Sequence, residues 1–529
     1  MKKFFEKHDL VKIALGMLLL TLILTWIIPQ ADFSTGEFAK GEITRVGLFD
    51  FGLESLLSLQ YFSYMISFIF ILGAFYQFLS KLGAYQKLTD SLARKIKGKE
   101  ILFSLIVSFI IAVFASTLNE YIVVITFIPF IITLCSKAGM DKISSFVATF
   151  GAMLVGILGS TINANIVGMN VNYFSLSYTD FLLEKIIFFA VIFIVYSVFN
   201  VLYLKKNLKK STAKKEKNEK VEIVVKKEEK TTKSTKKVAK KPANKNVKKT
   251  PKKTSASLAK AADVKVVKVE KEEIVKVEKS NVDLFATATA GNGKNSIVPL
   301  VVVAIIAVLT IILAYIPWTS VFEVNWFTNA YNWVINDVKL FGIPIFSYIF
   351  GAVSEFGSWN IYNVQTVLLL TILVLKICYK VNFNTIIDSF CEGFKKVSKL
   401  VVILLLCYMV VIFTIKFPVV PTILGELLGE KFNVLYTALA GLITNLFTVE
   451  YQYTINLIYY NIATYAENLD VISMILQLTY GFVSFFAPSS ALLFVGLSYL
   501  DIPYKEWMKY IWKFLIIALI AIIALAFII

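Results

Sequence analysis

Apolar residues gather in blocks too long for the interior of a soluble domain. The first runs from Val11 to Ile28, and further blocks cover 58–80, 183–204, 297–316, 361–378, 398–416 and 508–528. A helix needs about 18 or more such residues to cross about 30 Å of hydrocarbon. Open sheet edges are not tolerated in lipid, and a β-barrel would show weaker alternating segments of about ten residues. The pattern predicts an all-α polytopic membrane protein.

Four segments depart from a plain span. Ile101–Ser136 is too long for one crossing and lacks a charged turn for two. Its middle reads Ser116-Thr117-Leu118-Asn119-Glu120, and lysines flank both ends (Lys97, Lys99, Lys137, Lys142). A re-entrant hairpin with a polar tip fits. Phe432–Tyr465 repeats this arrangement around Thr444-Asn445-Leu446-Phe447-Thr448-Val449-Glu450. Ile143–Ser175 is interrupted by Gly159-Ser160-Thr161-Ile162-Asn163-Ala164-Asn165, and 471–502 by Ala487-Pro488-Ser489-Ser490-Ala491. Both read as broken helices. Between Ala84 and Lys97 apolar and charged residues alternate, as in an interfacial amphipathic helix.

The two halves therefore present the same parts in the same order: span, span, hairpin, broken helix, span. Thr117–Tyr121 can be laid on Phe447–Tyr451 with a shared Glu-Tyr pair, and Ile166–Met169 on Phe494–Leu497. The additional span at 297–316 turns the second half upside down. This gives a first membrane repeat at 1–204, a linker at 205–295, and the inverting span plus second repeat at 296–529. Inverted repeats with paired broken helices are the signature of secondary transporters, and the breaks mark the binding site.

Composition sharpens this reading. Hydrophobic residues make up 57% of the chain, against about 45–50% in soluble domains. The net charge of +18 is local: 28 lysines and 11 acidic residues lie between Lys205 and Ser296. That segment is too polar to fold. It is expected to be a disordered cytoplasmic linker, a solvated spacer that also fixes topology, with attraction to the anionic inner leaflet or to nucleic acid as the alternative. The lysine-rich ends place the N-terminus and linker in the cytoplasm and the C-terminus outside a bacterial inner membrane. Ile28-Pro29-Gln30-Ala31 lacks a small-x-small cleavage pattern, so the first block is expected to stay as a span.

Candidate chemistry sits at the tips and breaks. Half-helix N-termini offer free N–H groups to a carboxylate. Ser160, Thr161, Asn163, Asn165, Ser489 and Ser490 add hydroxyl and amide partners at the breaks. Ser116, Thr117, Asn119, Thr444, Asn445, Thr448 and Gln452 do so at the tips. The bland alternative is that they satisfy backbone groups freed by the breaks. Glu120 and Glu450 matter most for substrate choice, because a carboxylate in the membrane marks a pathway or site by default. Two such groups would repel a dianion unless a proton or sodium intervenes, and would attract a cationic amino acid. Tyr121, Tyr451 and Tyr453 could stack on a cation, but 25 tyrosines make packing as good an account.

The four cysteines (Cys135, Cys378, Cys391, Cys407) show no CxxC spacing, and His8 is the sole histidine. Neither a zinc site nor a cofactor is expected. With no phosphate-binding loop or dinucleotide fingerprint, transport should draw on exchange or on a Na+ or H+ gradient.

Several stretches resemble the YfcC-like C4-dicarboxylate anaerobic carrier family of the ion transporter superfamily. These are Leu24-Thr25-Trp26-Ile27-Ile28-Pro29, Val46-Gly47-Leu48-Phe49-Asp50, Phe390-Cys391-Glu392-Gly393-Phe394-Lys395-Lys396, and Gly481-Phe482 through Pro488-Ser489-Ser490 to Ile502-Pro503-Tyr504-Lys505-Glu506-Trp507. The resemblance implies two hairpins and two broken helices around one substrate, and carriers of dicarboxylates or of basic amino acids. Two motifs differ from such carriers: the second tip reads Thr448-Val449-Glu450-Tyr451-Gln452 in place of a Ser-Gly-Ser-Gly-Gln-like run, and the break reads Pro488-Ser489-Ser490-Ala491 in place of Pro-Thr-Ser-Gly.

The favoured expectation is an antiporter of basic amino acids of the arginine/ornithine type. A Na+- or H+-coupled dicarboxylate or other carboxylate transporter is the alternative. A membrane-embedded enzyme or a scaffold that recruits partners through the linker has less support. Expected partners are a small-molecule solute, the lipid bilayer and a second copy in a homodimer.

Overall fold

The computed structural model describes residues 9–33, 38–207, 284–285, 296–351, 353–429 and 431–526. The expected disordered linker falls mostly on 208–283 and 286–295, outside the described residues. Among the described residues, nine helices are long and apolar enough to cross a membrane. One two-residue antiparallel ladder, β1 (Ala31–Asp32) with β2 (Ala39–Lys40), accompanies them.

Helix α1 (Asp9–Ile27) leads through this ladder to α2 (Leu48–Tyr61) and α3 (Ser63–Lys81). The second expected span is thus the C-terminal part of a longer element that changes direction at Phe62 (φ −103°, ψ 18°). The expected amphipathic helix is α4 (Gly83–Ile96), whose Ala84, Tyr85, Thr89 and Ala93 face inward.

The first hairpin follows as α5 (Glu100–Thr117) and α6 (Tyr121–Ala138). Its second arm starts as a 3-10 helix over Tyr121–Phe127. It ends on Gly139 in the left-handed region (φ 90°), which lacks the Cβ that would penalise this cap. The first broken helix comprises α7 (Lys142–Leu158) and α8 (Val167–Phe174). A π turn at Val147–Gly151 lies within α7. Helix α9 (Leu182–Asn207) closes the first half. It exposes Leu183, Ile187, Ile194 and Leu202, apolar groups that only lipid would solvate well.

The second half opens with α10 (Val298–Tyr315) and the short helices α11 (Trp326–Asn332) and α12 (Ile345–Phe350). Helix α13 (Ile361–Tyr379) begins at Asn360, whose side chain accepts from Tyr362 N. The next span differs from expectation. It is the C-terminal part of α14 (Phe383–Lys416), which has 34 residues and runs unbroken through the charged Phe390–Lys396 stretch. No proline stops it, and its polar first half lies where the charged side chains reach water. Together with Phe62, the 14 residues of α2 and the 19 of α3 match α14 in length. One is bent and the other straight.

Helix α15 (Val419–Leu427) precedes the second hairpin, α16 (Val434–Asn445) and α17 (Tyr451–Ile462). Asn433 caps α16 by accepting from Leu435 N at 2.9 Å and Tyr436 N at 3.1 Å. The second broken helix is α18 (Leu469–Val483) and α19 (Ala491–Tyr499), and α20 (Tyr504–Ala526) ends the fold.

Two close approaches fix the centre. A Cβ on Gly393 of α14 would stand 2.6 Å from the backbone of Gly73 in α3, so these helices touch main chain to main chain. A Cβ on Gly481 of α18 would stand 2.3 Å from Leu158 Cα, at the last residue of α7. The two helices that break therefore cross immediately before their breaks.

Candidate functional site

Breaking a helix frees backbone groups that must find partners away from water. In the first half, Ser116 and Asn163 supply them. Ser116 Oγ donates to Gly159 O at 2.8 Å, and Thr161 N donates to Ser116 Oγ at 3.1 Å. Thr161 Oγ1 donates to Ser116 O at 3.2 Å. Asn163 Nδ2 donates to Ala115 O at 3.0 Å and to Ser160 Oγ at 2.8 Å, while its Oδ1 accepts from Ile166 N at 2.9 Å. Ser116, Ser160, Thr161 and Asn163 are all buried. They stitch the first tip to the first break.

The second half is stitched differently, by side chains to one another. Thr454 Oγ1 donates to Asn445 Oδ1 at 2.6 Å, Asn445 Nδ2 donates to Thr479 Oγ1 at 3.2 Å, and Thr448 pairs with Thr454 at 2.8 Å. Thr117 and Thr444 spend their hydroxyls on the carbonyls of Val113 and Ala440 in their own helices. Asn119 reaches outward, donating to Gly357 O at 2.6 Å. Nine residues expected at the solute (Ser116, Thr117, Asn119, Ser160, Thr161, Asn163, Thr444, Asn445 and Thr448) thus bond the main chain or other side chains, because freed main-chain groups compete for the same hydroxyls and amides.

Glu120, Asn165, Glu450, Gln452 and Ser490 come closer to the expected role. One cavity of about 50 Å³ is lined by Glu450, Tyr121, Tyr408, Tyr480, Ser484 and Ser490 among mainly apolar neighbours. A smaller one of about 10 Å³ is lined by Asn165, Glu450 and Gln452 with Tyr121 and Tyr451. Glu450 and Tyr121 border both. Asn165 Nδ2 donates to Glu120 Oε2 at 3.4 Å, and Asn165 Oδ1 accepts from Tyr121 N at 3.1 Å. Glu120 Oε1 is buried without a hydrogen-bond partner, as is Ser489 Oγ. The two carboxylates lie near enough to interact electrostatically. No lysine or arginine lines either cavity among the described residues.

Tyrosines complete the arrangement. Tyr408 donates to Glu450 Oε1 at 2.5 Å and Tyr64 to the same oxygen at 3.4 Å. Tyr121 bonds Tyr480 at 3.2 Å, and Tyr480 donates to Val449 O at 3.1 Å. Tyr451 donates to Asn170 Oδ1 in α8 at 2.7 Å. Tyr121 and Tyr451, paired when the two tips are overlaid, thus each reach the other half's broken helix. The overlay of Ile166 on Phe494 is shifted, since Ile166 caps α8 whereas Phe494 lies inside α19. Tyr64, Tyr408 and Tyr480 escaped the sequence reading, because a tyrosine within an apolar block carries no signal that separates a ligand-facing hydroxyl from packing.

Removing an ionised carboxylate from water costs several kcal/mol unless a positive charge and hydrogen bonds compensate. The site supplies neutral donors to both acids.

No curated protein matches this chain. A family model described as the C4-dicarboxylate anaerobic carrier (DcuC) matches residues 8–241, which include the first hairpin and first broken helix, so in this part the multi-pass membrane chain is similar to that family of carriers.

Proposed function

We propose that the protein is a secondary carrier of a small C4-dicarboxylate-type anion, moved together with protons or sodium ions received at Glu120 and Glu450. The observation that supports this reading is a pair of cavities that share Glu450 and Tyr121 of the two hairpin tips, one bordered by the first break through Asn165 and the other by the second break through Ser490. The N-terminus of α19 borders the larger cavity through Ser490, Ala491 and Leu492. Its free N–H groups and positive dipole end suit a carboxylate. The acids suit the accompanying cation. The family match supports the dicarboxylate over the amino-acid substrate favoured from sequence.

A second reading keeps that basic amino acid, with exchange of the arginine/ornithine type. The lining favours it, having a carboxylate and no lysine or arginine. In both readings the lysine-rich side faces the cytoplasm and the C-terminus lies outside.

Uptake into proteoliposomes separates the two. Labelled succinate should enter when an inward sodium or proton gradient is imposed. Entry of arginine only against internal ornithine, with no succinate uptake, would replace the first reading by the second. Failure of both, in protein that remains folded, would defeat the carrier proposal.

A further inference from the structure

Away from the acidic site, α5 and α9 pack as an antiparallel pair. Asn200 Nδ2 donates to Ser104 Oγ at 2.9 Å, with both residues buried, and the rings of Phe109 and Phe193 meet at 5.4 Å between centroids. Along the outward side of the pair lies a groove of about 610 Å³. Its walls include Ile106, Ile194, Val198 and Leu202, each half exposed or more. Ser197 is the one polar residue in the lining, and its hydroxyl is buried.

The groove has the length of one leaflet. Its wall on α9 runs from Phe193 to Leu202, about 14 Å at 1.5 Å per residue, against about 15 Å for half the hydrocarbon core. The contact of Phe109 with Phe193 closes the end nearer the middle of α9. The other end, at Leu105 and Leu202, stands five residues from the start of α5 and from the end of α9. There the chain is basic. Arg94, Lys95, Lys97 and Lys99 are exposed, and Lys97 and Lys99 flank Gly98 in the left-handed turn (φ 86°) that leads into α5. The acid beside them, Glu100, accepts from Gly98 N at 2.8 Å.

We infer that this groove binds an anionic phospholipid, with one acyl chain lying between α5 and α9 and the phosphate resting on Lys97 and Lys99. Length and charge together choose this occupant. A single hydrocarbon chain fits apolar walls that run the depth of one leaflet, and every methylene it buries adds to its hold. The basic turn at the open end attracts an anionic headgroup and gives a zwitterionic one no such gain. A helix from a second copy of the chain would cover the same walls but has no use for bases at the mouth. Because α5 is one wall, the lipid braces the first arm of the hairpin that carries Glu120. This interaction is independent of which solute the protein carries.

The test presents the purified full chain, in mild detergent, with phosphatidylglycerol and phosphatidylcholine of identical acyl chains, and counts bound lipid by native mass spectrometry. Phosphatidylglycerol should bind about tenfold more tightly, the order of preference that a pair of lysines near a lipid surface supplies. The double variant Lys97→Gln/Lys99→Gln should lose that preference and keep the weaker binding common to both lipids. Val198→Trp, which fills the groove, should release both. Leu183→Trp, at an exposed position of α9 outside the groove, should bind as the parent does and controls for folding. Equal binding of the two lipids by the parent, a preference that survives the double variant, or lipid retained in Val198→Trp would overturn the proposal. So would equal losses in Val198→Trp and Leu183→Trp, which would make the effect one of the whole lipid face. A dimer that Val198→Trp dissociates would give the groove to a second copy and overturn it as well.

Discussion

The two hairpin tips carry the same Glu-Tyr pair and hold the acid in unlike ways. Glu450 receives two tyrosine hydroxyls on one oxygen and borders both cavities. Glu120 receives one amide at 3.4 Å and keeps an oxygen without a partner. A carboxylate fixed by two donors has a defined place before any ligand arrives. One held only by a 3.4 Å amide contact and the Ile122 main chain can follow a ligand. The first acid of the pair is thus suited to adjust and the second to position, although sequence alone makes them equivalents.

The largest effect should come from erasing the fixed acid. Glu450→Gln should lower uptake by about a hundredfold or more, as expected when a charge at the binding centre is lost, with thermal unfolding in detergent almost unchanged. Glu120→Gln should cost less, about tenfold, and should show mainly as a weaker dependence on the coupling cation. Equal losses in the two variants would abolish the distinction.

Tyr408→Phe tests why the second acid is fixed. A hydrogen bond to a charged group contributes about 1.5–3 kcal/mol, so uptake should fall about tenfold or somewhat more, chiefly through KM. Tyr64→Phe, which removes the 3.4 Å contact, should fall less.

The stitching offers a smaller contrast, in stability. Ser116→Ala leaves Gly159 O short of a partner and should cost about 1–3 kcal/mol, read as a lower unfolding midpoint. Thr454→Val in the second half breaks two side-chain bonds without orphaning main-chain groups, and should cost less. The smallest effect belongs to the surface. Lys40 holds the Glu426 carboxyl below its ordinary range through a 2.7 Å ion pair. The pair's contribution is present above that range and lost as pH falls through the lowered value, so Lys40→Ala should matter slightly near neutrality and not at all in acid.

Much of this frame was legible in sequence because polar residues inside apolar blocks are conspicuous. The tips at 116–120 and 444–450 and the breaks at 159–165 and 487–491 stand where the polar interruptions placed them. What those residues do was less legible. Ser116, Thr161 and Asn163 look like ligands from composition, yet the backbone of the break claims them first. Tyr408 hides among apolar residues that pack.

The crossed tyrosines have a mechanical corollary. Tyr121 bonds to α18 through Tyr480, and Tyr451 to α8 through Asn170, while Gly481 rests on Leu158 with no side chain between them. Swinging one half against the other would shear all three junctions at once. A displacement that preserves them would move both hairpins and both interrupted helices as one block relative to α3 and α14, which clasp each other at Gly73 and Gly393, and would have to break the Tyr64 and Tyr408 bonds to Glu450.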